Sequence, residues 1–316
     1  MSQKREAAVV GIHEYPLRVA PGVSALQIKA ESASKALEDA GLAWQDVDAV
    51  YDTGTHQNIG GLGISEYLGL KPRLIDTTAV GGSSYEFQAH HAAEMIAAGK
   101  ASVALLTYGS TSHSDRRAIG TAGATGLGSP TPFNNMEDPW GMTLISNYGM
   151  VKARHMHQYG STDEQFAQIS VATRYHAMRN PEAVKAMTDL EFVGINELTT
   201  QDVMDSRTIA WPLHLLECCM VSDGGGAVVI ASKEVAANCR KKPVWIIGGA
   251  EATKYRENGG DITVSAGAQS GPRAFAEAGV KPSEIDILMA YDSFSTVSYT
   301  HLRAHETDSY LVCRLL

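Results

Sequence analysis

The sequence predicts an α/β fold made of two similar halves. Short apolar runs alternate along the chain with amphipathic stretches of helical spacing, a pattern typical of helices packed on a sheet. A helix–turn–strand pattern also occurs twice, at widely separated places in the chain. With 316 residues, of which 44% are hydrophobic and 19% charged, the chain has enough apolar surface for one large core or two smaller ones.

Apolar runs bounded by glycine, proline and polar residues predict six strands. Several runs are continuously apolar, which is typical of strands covered on both faces. The predicted strands are Ala7–Val10, Val47–Tyr51, Ser102–Tyr108, Gly226–Ala231, Val244–Ile247 and Ile285–Ala290. The predicted helices are Ala25–Ala40, Glu86–Ala98, Thr143–His157, Glu164–Met178 and Gly267–Ala278. Ser161 with Glu164, or Thr162 with Gln165, forms a capping box that opens the fourth helix.

The repeated pattern joins Lys35–Asp48 to Arg273–Asp286. Aligned residues stand a constant distance apart, as for Ala40 and Ala278 (278 − 40 = 238). Each copy is predicted to be a helix that ends in an Ala-Gly cap, a short turn and a buried strand. The identical pairs are Ala36 and Ala274, Ala40 and Ala278, Gly41 and Gly279, and Asp48 and Asp286. The pattern indicates a duplicated half, and chance similarity of two helix–glycine–strand units is the alternative.

A charged stretch that ends in proline, Cys239–Pro243, lies between two predicted strands and predicts a domain boundary. We therefore expect an N-terminal α/β domain over residues 1–240 and a partial second domain over residues 241–297. The first domain carries an insertion at about 110–215, with a loop rich in glycine and proline between Gly120 and Gly141. Long loops in compact domains are typically lids or binding loops.

Composition excludes several classes of protein. The 26 basic and 35 acidic side chains give a net charge of 26 − 35 = −9, which argues against a nucleic-acid-binding surface. No apolar run is long enough to span a membrane, and the N-terminal residues lack the apolar core of a secretory signal. The 4 cysteines form neither a disulfide framework nor paired Cys-x-x-Cys zinc motifs. These features predict a soluble cytoplasmic protein.

Several short motifs between Ala7 and Ser295 occur in an informative order. They are a Gly-Ser pair before the second helix, Tyr148-Gly-Met, Tyr159-Gly-Ser-Thr-Asp-Glu-Gln, Asn180-Pro, Asp205-Ser-Arg, Trp211-Pro-Leu and Cys218-Cys-Met-Val-Ser-Asp-Gly-Gly-Gly. Together they resemble the thiolase superfamily, and within it the sterol-carrier-protein-x thiolases and their bacterial lipid-transfer relatives, which are also called acetyl-CoA acetyltransferases. The resemblance implies two halves in an αβαβα layering, a homodimer, and an acyl-CoA bound between the halves. It implies no cofactor other than the CoA thioester that serves as substrate.

The resemblance places a nucleophilic cysteine at the start of the second predicted helix, where the helix N-terminus and a histidine favour the thiolate. Here that position holds Gly82, followed by Ser83, and the first cysteine of the chain is Cys218. Ser83 is a candidate catalytic residue by position, but no base for its hydroxyl is identified. The alternative for Ser83 and Ser84, which is favoured as their minimum role, is a helix N-cap that would contribute about 1 kcal/mol. Gly81, Gly82 and Ser84 are candidate substrate-binding residues at the same helix start.

A second departure from the family is Tyr291-Asp-Ser-Phe-Ser295, where thiolases carry Asn-Glu-Ala-Phe and the sterol-carrier branch His-Asp-Cys-Phe. The Asn or His of the family organises a water in an oxyanion hole. A phenol donates a hydrogen bond and exchanges a proton, so Tyr291 is the candidate catalytic proton carrier, and Asp292 is a candidate substrate-binding residue. The alternative is that Tyr291 only ends a buried strand.

The tyrosine and the missing cysteine together resemble the lipid-transfer-type aldolases of steroid side-chain degradation, which work with a small OB-fold partner. We therefore expect retro-aldol cleavage of a β-hydroxyacyl-CoA in lipid or steroid catabolism, with a small OB-fold protein as partner. Ordinary thiolase acyl transfer is one alternative, which the missing cysteine opposes. A non-catalytic subunit that binds acyl-CoA is the other.

Two polar clusters are weaker candidates. His90 and Glu94 stand one helical turn apart, but two side chains without a third make a weak metal site, so we predict a surface hydrogen bond and no bound metal. The glycine run Asp223–Gly226 could approach a phosphate, but a lone glycine cluster is weak evidence. Close packing between a helix and a strand is the favoured interpretation.

The resemblance ends at about Thr296. The stretch from Ser298 to Leu316 resembles a translated cloning adaptor, and a divergent natural tail is the alternative. We therefore expect no function for His301, His305 or Cys313. A second half without its terminal strands would leave a sheet edge unpaired, so we expect this chain to fold poorly or to aggregate on its own.

Overall fold

A computed structural model describes residues 5–54, 59–117, 143–192, 194–254, 260–291 and 294–298 of the protein. The chain divides into two compact units. The sheet unit contains the described residues up to 117, those of 222–251 and those of 272–280. The helical unit contains the described residues of 143–221, 252–271 and 281–298. The candidate loop Gly120–Gly141, Asp292 and the tail beyond residue 298 lie outside the described residues.

The helices and strands of the sheet unit alternate, as expected for an α/β fold. The bounds that follow are those of both units, in chain order. The strands are β1 (Ala7–Glu14), β2 (Ala49–Tyr51), β3 (Leu74–Asp76), β4 (Val103–Thr111), β5 (Thr208–Ala210), β6 (Leu213–His214), β7 (Asp223–Ser232) and β8 (Val244–Ile246). The helices are α1 (Ala25–Ala40), α2 (Gly60–Leu68), α3 (Ser84–Ala97), α4 (Leu144–Tyr159), α5 (Asp163–Ala177), α6 (Pro181–Asp189), α7 (Thr200–Asp205), α8 (Lys233–Ala236) and α9 (Gly267–Ala278). No helix among the described residues is long and apolar enough to cross a membrane.

A mixed sheet in the order β3-β2-β4-β7-β1-β8 forms the core of the sheet unit. Strand β2 is parallel to β3 and β4, whereas β7 is antiparallel to β4 and β1. Both faces of β4 are buried: Val103 and Leu105 pack into the cluster that contains α1, and Ala104 and Leu106 into the cluster that contains α3. The prediction of strands covered on both faces is therefore confirmed for β4.

Close approach of backbones explains the glycine run that opens β7. A Cβ atom on Gly225 would lie 2.2 Å from the carbonyl oxygen of Tyr108, and one on Gly226 would lie 2.8 Å from that of His13. Neither position has room for a side chain, because real Cβ atoms do not approach so closely. These contacts are between strands, whereas the sequence predicted helix–strand packing; the helix contributes one contact, since a Cβ atom on Gly225 would lie 2.9 Å from Ile28 Cγ2 of α1.

The predicted helices are all present, and α1 and α9 have the predicted bounds. Helix α1 begins at Ser24, whose Oγ accepts the N–H of Gln27 at 3.1 Å, and ends at Gly41 with a φ of +78°. At the start of α5, Gln165 Oε1 accepts the N–H of Thr162 at 3.1 Å. Of the two capping boxes that the sequence allows, this bond selects the one with Thr162.

The predicted strand at Ile285–Ala290 is wrong. The segment forms no strand, and Ile287, Leu288 and Met289 are 78%, 55% and 89% exposed. A strand needs a neighbour for its backbone N–H and C=O groups, and no described strand pairs with this segment. The division into domains at residue 240 stays a prediction, although β8, which follows it, pairs antiparallel with β1.

Candidate functional site

The start of α3 is held by its first residue, Ser84. The buried Ser84 Oγ donates to the carbonyl oxygen of Gly81 at 2.5 Å and accepts the N–H of Val80 at 2.8 Å. The predicted capping bond of Ser83 is wrong: its side chain makes no capping hydrogen bond. Ser83 has φ −71° and ψ 0°, whereas a capping serine has an extended backbone that aims its hydroxyl at the first turn.

The residues in front of α3 leave the helix start open. Gly81 and Gly82 are exposed and Ser83 is half-buried. Gly81 has a φ of +87°, in the left-handed region that favours glycine. The first N–H groups of a helix carry partial positive charge and lack helical partners, so they attract an anion or a polarised carbonyl oxygen. The roles of Ser83, Ser84 and the two glycines toward a substrate stay predictions.

A buried ion pair lies at the carboxyl end of β2. Asp52, the residue after the strand, accepts Lys29 Nζ at 2.8 Å and Thr107 Oγ1 at 2.6 Å, and all three side chains are buried. The next residue, Thr53, is hydrogen-bonded through its hydroxyl to the phenol oxygen of Tyr85 at 3.0 Å. Since Tyr85 is the second residue of α3, this chain of contacts ties the end of β2 to the helix start.

Burial raises the pKa of Tyr85 well above its usual value. Its ring meets that of Tyr108 edge-on, with 5.2 Å between the ring centres. The phenol therefore remains protonated at neutral pH and acts as a neutral hydrogen-bonding group.

Tyr291 belongs to the helical unit and is 48% exposed. The residues before it, Ile287–Met289, are exposed as well. After it, Phe294 is only 1% exposed, forms an antiparallel bridge with Cys218, and stacks on Tyr148 with 4.4 Å between the ring centres. The side chain of Tyr291 is thus accessible, while the chain is fixed three residues further on. Its catalytic role stays a prediction.

A second buried ion pair fixes the chain at Ser295. Lys152 and Glu217 are buried, and Lys152 Nζ lies 2.8 Å from Glu217 Oε1 and 2.7 Å from Oε2. Lys152 Nζ also lies 2.7 Å from Asp163 Oδ1. Ser295 Oγ donates to Glu217 Oε1 at 2.8 Å, and the N–H of His214 donates to Oε2 at 2.9 Å. We call Lys152, Asp163, Glu217 and Ser295 the Lys152 network.

The two buried ion pairs were not found from the sequence. Lys29 and Asp52 are 23 positions apart and Lys152 and Glu217 are 65 apart, so no local pattern links them. One signal was present: Lys29 stands on the face of α1 that also carries the buried residues Ile28, Ser32 and Ala33. A charged residue on a buried helix face requires a partner of opposite charge.

In α3, His90 Nε2 of the predicted pair lies 3.7 Å from Glu94 Oε1. His90 Nδ1 also lies 3.5 Å from Glu251 Oε1. His91, the next residue, lies between two carboxylates, with Nδ1 2.7 Å from Asp76 and Nε2 2.7 Å from Glu251. Burial lowers the pKa of His91, but the two carboxylates outweigh it and raise the pKa above its usual value. An open cavity of about 400 Å³ borders these side chains. No group of ligating side chains among the described residues is arranged to hold a metal ion.

The described cysteines do not supply the missing nucleophile. Cys218 and Cys219 precede β7, and Cys239 follows α8, so none stands at the start of α3. Burial raises the pKa of the Cys218 thiol to about 12, and the nearby Cys219 and Glu217 add to this effect. A thiol with so high a pKa is protonated at neutral pH and is a poor nucleophile.

Comparison with known proteins agrees with this architecture. Residues 248–306 match the family described as thiolase C-terminal domain-like. A steroid side-chain-cleaving aldolase of Thermomonospora curvata is 30% identical over 92% of this chain and 74% of its own length. An acetyl-CoA acetyltransferase of Methanothermobacter thermautotrophicus is 31% identical over 92% of this chain and 74% of its own length. The solved structure of an Ltp2-ChsH2(DUF35) aldolase superposes with a TM-score of 0.79 and 26% identity, over 95% of this chain and 76% of that one.

A match over a shorter part of the chain identifies the branch of the superfamily. Sterol carrier protein 2 of Gallus gallus is 28% identical over 48% of this chain and 30% of its own length. The fold agrees too, because an SCP2-thiolase-like protein of Mycobacterium smegmatis superposes over 94% of this chain with a TM-score of 0.71. The chain therefore belongs to the thiolase superfamily, in the branch that contains sterol carrier protein 2.

Proposed function

We propose that the protein is an enzyme that cleaves a carbon–carbon bond of a β-hydroxyacyl-CoA thioester by retro-aldol chemistry, with Tyr291 as the proton carrier. One observation carries the proposal: this thiolase-superfamily chain has Gly82-Ser83 in place of the nucleophilic cysteine and Tyr291 in place of Asn or His. The similarity to a steroid side-chain-cleaving aldolase supports it and favours a steroid acyl-CoA as substrate.

The reaction needs one proton carrier. The proton leaves the β-hydroxyl, the electrons of the Cα–Cβ bond form the thioester enolate, and the carbonyl product departs. The enolate then takes up a proton at Cα. A single group that accepts a proton and returns it balances these steps, and no acyl-enzyme forms. Tyr291 accepts the hydroxyl proton as its phenolate and returns a proton to Cα as the phenol, and its accessible side chain is suited to this exchange.

The sheet unit is proposed to bind the thioester at the start of α3. The open backbone at Gly81 and Gly82, together with the turn closed by Ser84, leaves helix N–H groups available to a carbonyl oxygen. Donors arranged in advance at such an oxygen stabilise the enolate that forms on it. Asp292 stays a candidate substrate-binding residue.

A partner subunit is part of the proposal. The similar aldolase structure pairs Ltp2 with ChsH2(DUF35), so we propose that this protein also works with a small partner protein, which we expect to have an OB fold. The homodimer and the cytoplasmic location stay predictions. Rates measured with and without a co-expressed OB-fold protein would test the proposed partner subunit.

The test is product analysis with a steroid β-hydroxyacyl-CoA, for wild type and Tyr291→Phe. We expect a ketone or aldehyde and a shortened acyl-CoA, formed without free CoA. The phenylalanine variant should lose 10²-fold or more in kcat, which is about the contribution of general acid–base catalysis, and should still bind acyl-CoA. Unchanged cleavage by Tyr291→Phe would contradict the role of the phenol.

Acyl transfer is the second candidate, and the similarity to an acetyl-CoA acetyltransferase favours it. It predicts two acyl-CoA products from the corresponding β-ketoacyl-CoA, formed only when free CoA is supplied, because thiolysis cleaves a β-ketone and not a β-alcohol. The third candidate, a binding subunit, predicts acyl-CoA binding without turnover of either substrate. The product assay, run with both substrates, separates all three functions.

A further inference from the structure

The described chain changes from exposed to buried between Tyr291 and Phe294. The preceding residues Ile287–Met289 are exposed and form no strand, and Tyr291 itself is about half exposed. The next described residues, Phe294 and Ser295, are 1% and 3% exposed. The buried Phe294 and Ser295 therefore restrict where the chain that carries the phenol can lie.

Ser295 is fixed by an unusually well-satisfied carboxylate. Glu217 Oε1 accepts both Ser295 Oγ and Lys152 Nζ, and Oε2 accepts both Lys152 Nζ and the N–H of His214. A buried carboxylate with this many hydrogen-bond partners has one favourable orientation. Since the next residue, Cys218, also bridges Phe294, two consecutive residues hold the chain behind Tyr291.

Lys152 supplies the charge that makes this arrangement stable. The buried ammonium lies within 2.8 Å of both Glu217 oxygens and 2.7 Å from Asp163, and it also donates to the carbonyl oxygen of Pro212 at 3.0 Å. An isolated ion pair of this kind contributes little to stability, because desolvation offsets the Coulomb attraction. Retaining a buried charge pair is better explained by the geometry that it imposes on the groups around it.

We propose that the Lys152 network is a positioning device for Tyr291. Glu217 holds Ser295, Ser295 and Phe294 fix the chain, and the fixed chain sets the place of the phenol. The inference rests on the proposed function, since it gives Glu217, Ser295 and Lys152 their meaning through Tyr291. None of the three is a catalytic residue in this account.

The test is a double-mutant cycle with Ser295→Ala and Tyr291→Phe. Ser295→Ala removes one hydrogen bond and leaves Glu217 paired with Lys152, so the fold should survive. We expect Ser295→Ala to lower kcat about tenfold with KM unchanged, because a small misplacement of a reacting group is costly. In the Tyr291→Phe background the same substitution should have no effect. Ser295→Thr keeps the hydroxyl and should restore most of the rate.

Met187→Ala is the control for general destabilisation. Met187 is buried in the same unit and belongs to α6, outside the Lys152 network. This variant should lower the melting temperature more than Ser295→Ala does and should leave kcat unchanged at a temperature where it is folded.

Each outcome decides a separate point. A tenfold loss of kcat in both backgrounds, or no loss in either, would overturn the positioning role while leaving Tyr291 as the proton carrier. Wild-type activity in Tyr291→Phe alone would overturn Tyr291 as the proton carrier, on which the positioning role rests. The proposal requires that Ser295→Ala lowers kcat in the wild-type background and has no effect in the Tyr291→Phe background.

Discussion

The two copies of the internal repeat, Lys35–Asp48 and Arg273–Asp286, have the same helix cap and turn but differ in the segment that follows. Each helix ends in a left-handed glycine, with φ +78° at Gly41 and +69° at Gly279. Each continues into a 3₁₀ turn at equivalent positions, Trp44–Asp46 and Pro282–Glu284. The first copy then enters the buried strand β2, whereas the second continues as the exposed segment Ile287–Met289.

The approach to the helix is repeated as well. A Cβ atom on Gly11 of β1 would lie 2.2 Å from the carbonyl oxygen of Ala36, and one on Gly248, after β8, would lie 2.8 Å from that of Ala274. Ala36 and Ala274 are an identical pair of the repeat. The duplicated pattern therefore includes a strand glycine packed on a helix alanine in each copy.

The difference lies in the neighbours and not in the local sequence. Strand β2 has β3 on one side and β4 on the other, and both bond to its backbone. No described strand lies beside Ile287–Met289. Helices, caps and 3₁₀ turns form from bonds within a few residues, while a strand forms only where another strand completes it. An apolar run is therefore a weaker predictor of structure than a capped helix.

The largest difference between the copies is expected for a charge placed at equivalent positions. Val50→Asp buries a carboxylate at a fully buried site of the core and should cost about 4 kcal/mol or more, enough to unfold the sheet unit. Leu288→Asp should change the free energy of unfolding by less than about 0.5 kcal/mol. Urea unfolding followed by circular dichroism measures both. A severe loss in Leu288→Asp would mean that the second segment is buried after all.

The Leu288→Asp variant also tests the expected aggregation. Exposed Ile287–Met289 presents a continuous apolar surface, so the chain is expected to aggregate in its present form. Leu288→Asp should raise the soluble fraction, as measured by light scattering at increasing concentration. Equal solubility of the two proteins would remove this segment as the cause.

A smaller loss is expected from closing the two glycine contacts. Gly11→Ala pushes a methyl group against the backbone of α1 and should cost about 3 kcal/mol, whereas Gly248→Ala, whose nearest contact would be 2.7 Å instead of 2.2 Å, should cost about 2 kcal/mol. Denaturation midpoints at a common slope measure the two values. A loss for Gly11→Ala alone would show that the second contact is too loose to be equivalent.

The helix caps should share the same backbone cost. Gly41→Ala and Gly279→Ala each place a side chain at a positive φ, which costs about 1 kcal/mol. Gly41→Ala should lose slightly more, because its Cβ atom would lie 2.8 Å from Cγ of the flexible Arg240 side chain, whereas Gly279 has open space around it. Thermal unfolding of each variant would show whether the two caps differ by more than a few tenths of a kcal/mol.

The smallest expected effect is on the pH dependence of stability. It concerns the contact of His91 with Asp76 of β3, the strand that pairs with β2 in the first copy of the repeat. Because the pKa of His91 is raised above its usual 6.5 by Asp76 and Glu251, its charge stabilises the fold fully below about pH 6.5. This stabilisation is lost as the pH rises through the raised pKa. The difference in melting temperature between wild type and His91→Asn should therefore be largest near pH 5.5 and smallest near pH 8.5. A difference that grows with pH would contradict the ion-paired histidine.

How far the sequence predicts this molecule depends on the range of the interaction. The bounds of α1 were predictable because Ser24 and Gly41 mark its two ends. Helix α2 was missed because it begins with Gly60 and Gly61, which are poor helix formers. Strand β3 is only three residues long and follows a proline and a charged residue, so no apolar run marks it.

The candidate site divides in the same way. Ser83 and Tyr291 were found because each departs from a family motif at a defined position. The Lys152 network was missed because its members are brought together only by tertiary packing. Lys152 in α4 and Glu217 before β7 each look like ordinary charged residues in the sequence.

The most direct test of the account is a search for a covalent intermediate during turnover. The intact protein would be quenched while it cleaves a steroid β-hydroxyacyl-CoA, and its mass measured by mass spectrometry. The account predicts the unmodified mass at every time point, together with a ketone or aldehyde and a shortened acyl-CoA formed without free CoA. An acyl adduct on Ser83 or on any cysteine, formed at the rate of turnover when the corresponding β-ketoacyl-CoA is supplied, would contradict it and establish thiolase chemistry in its place.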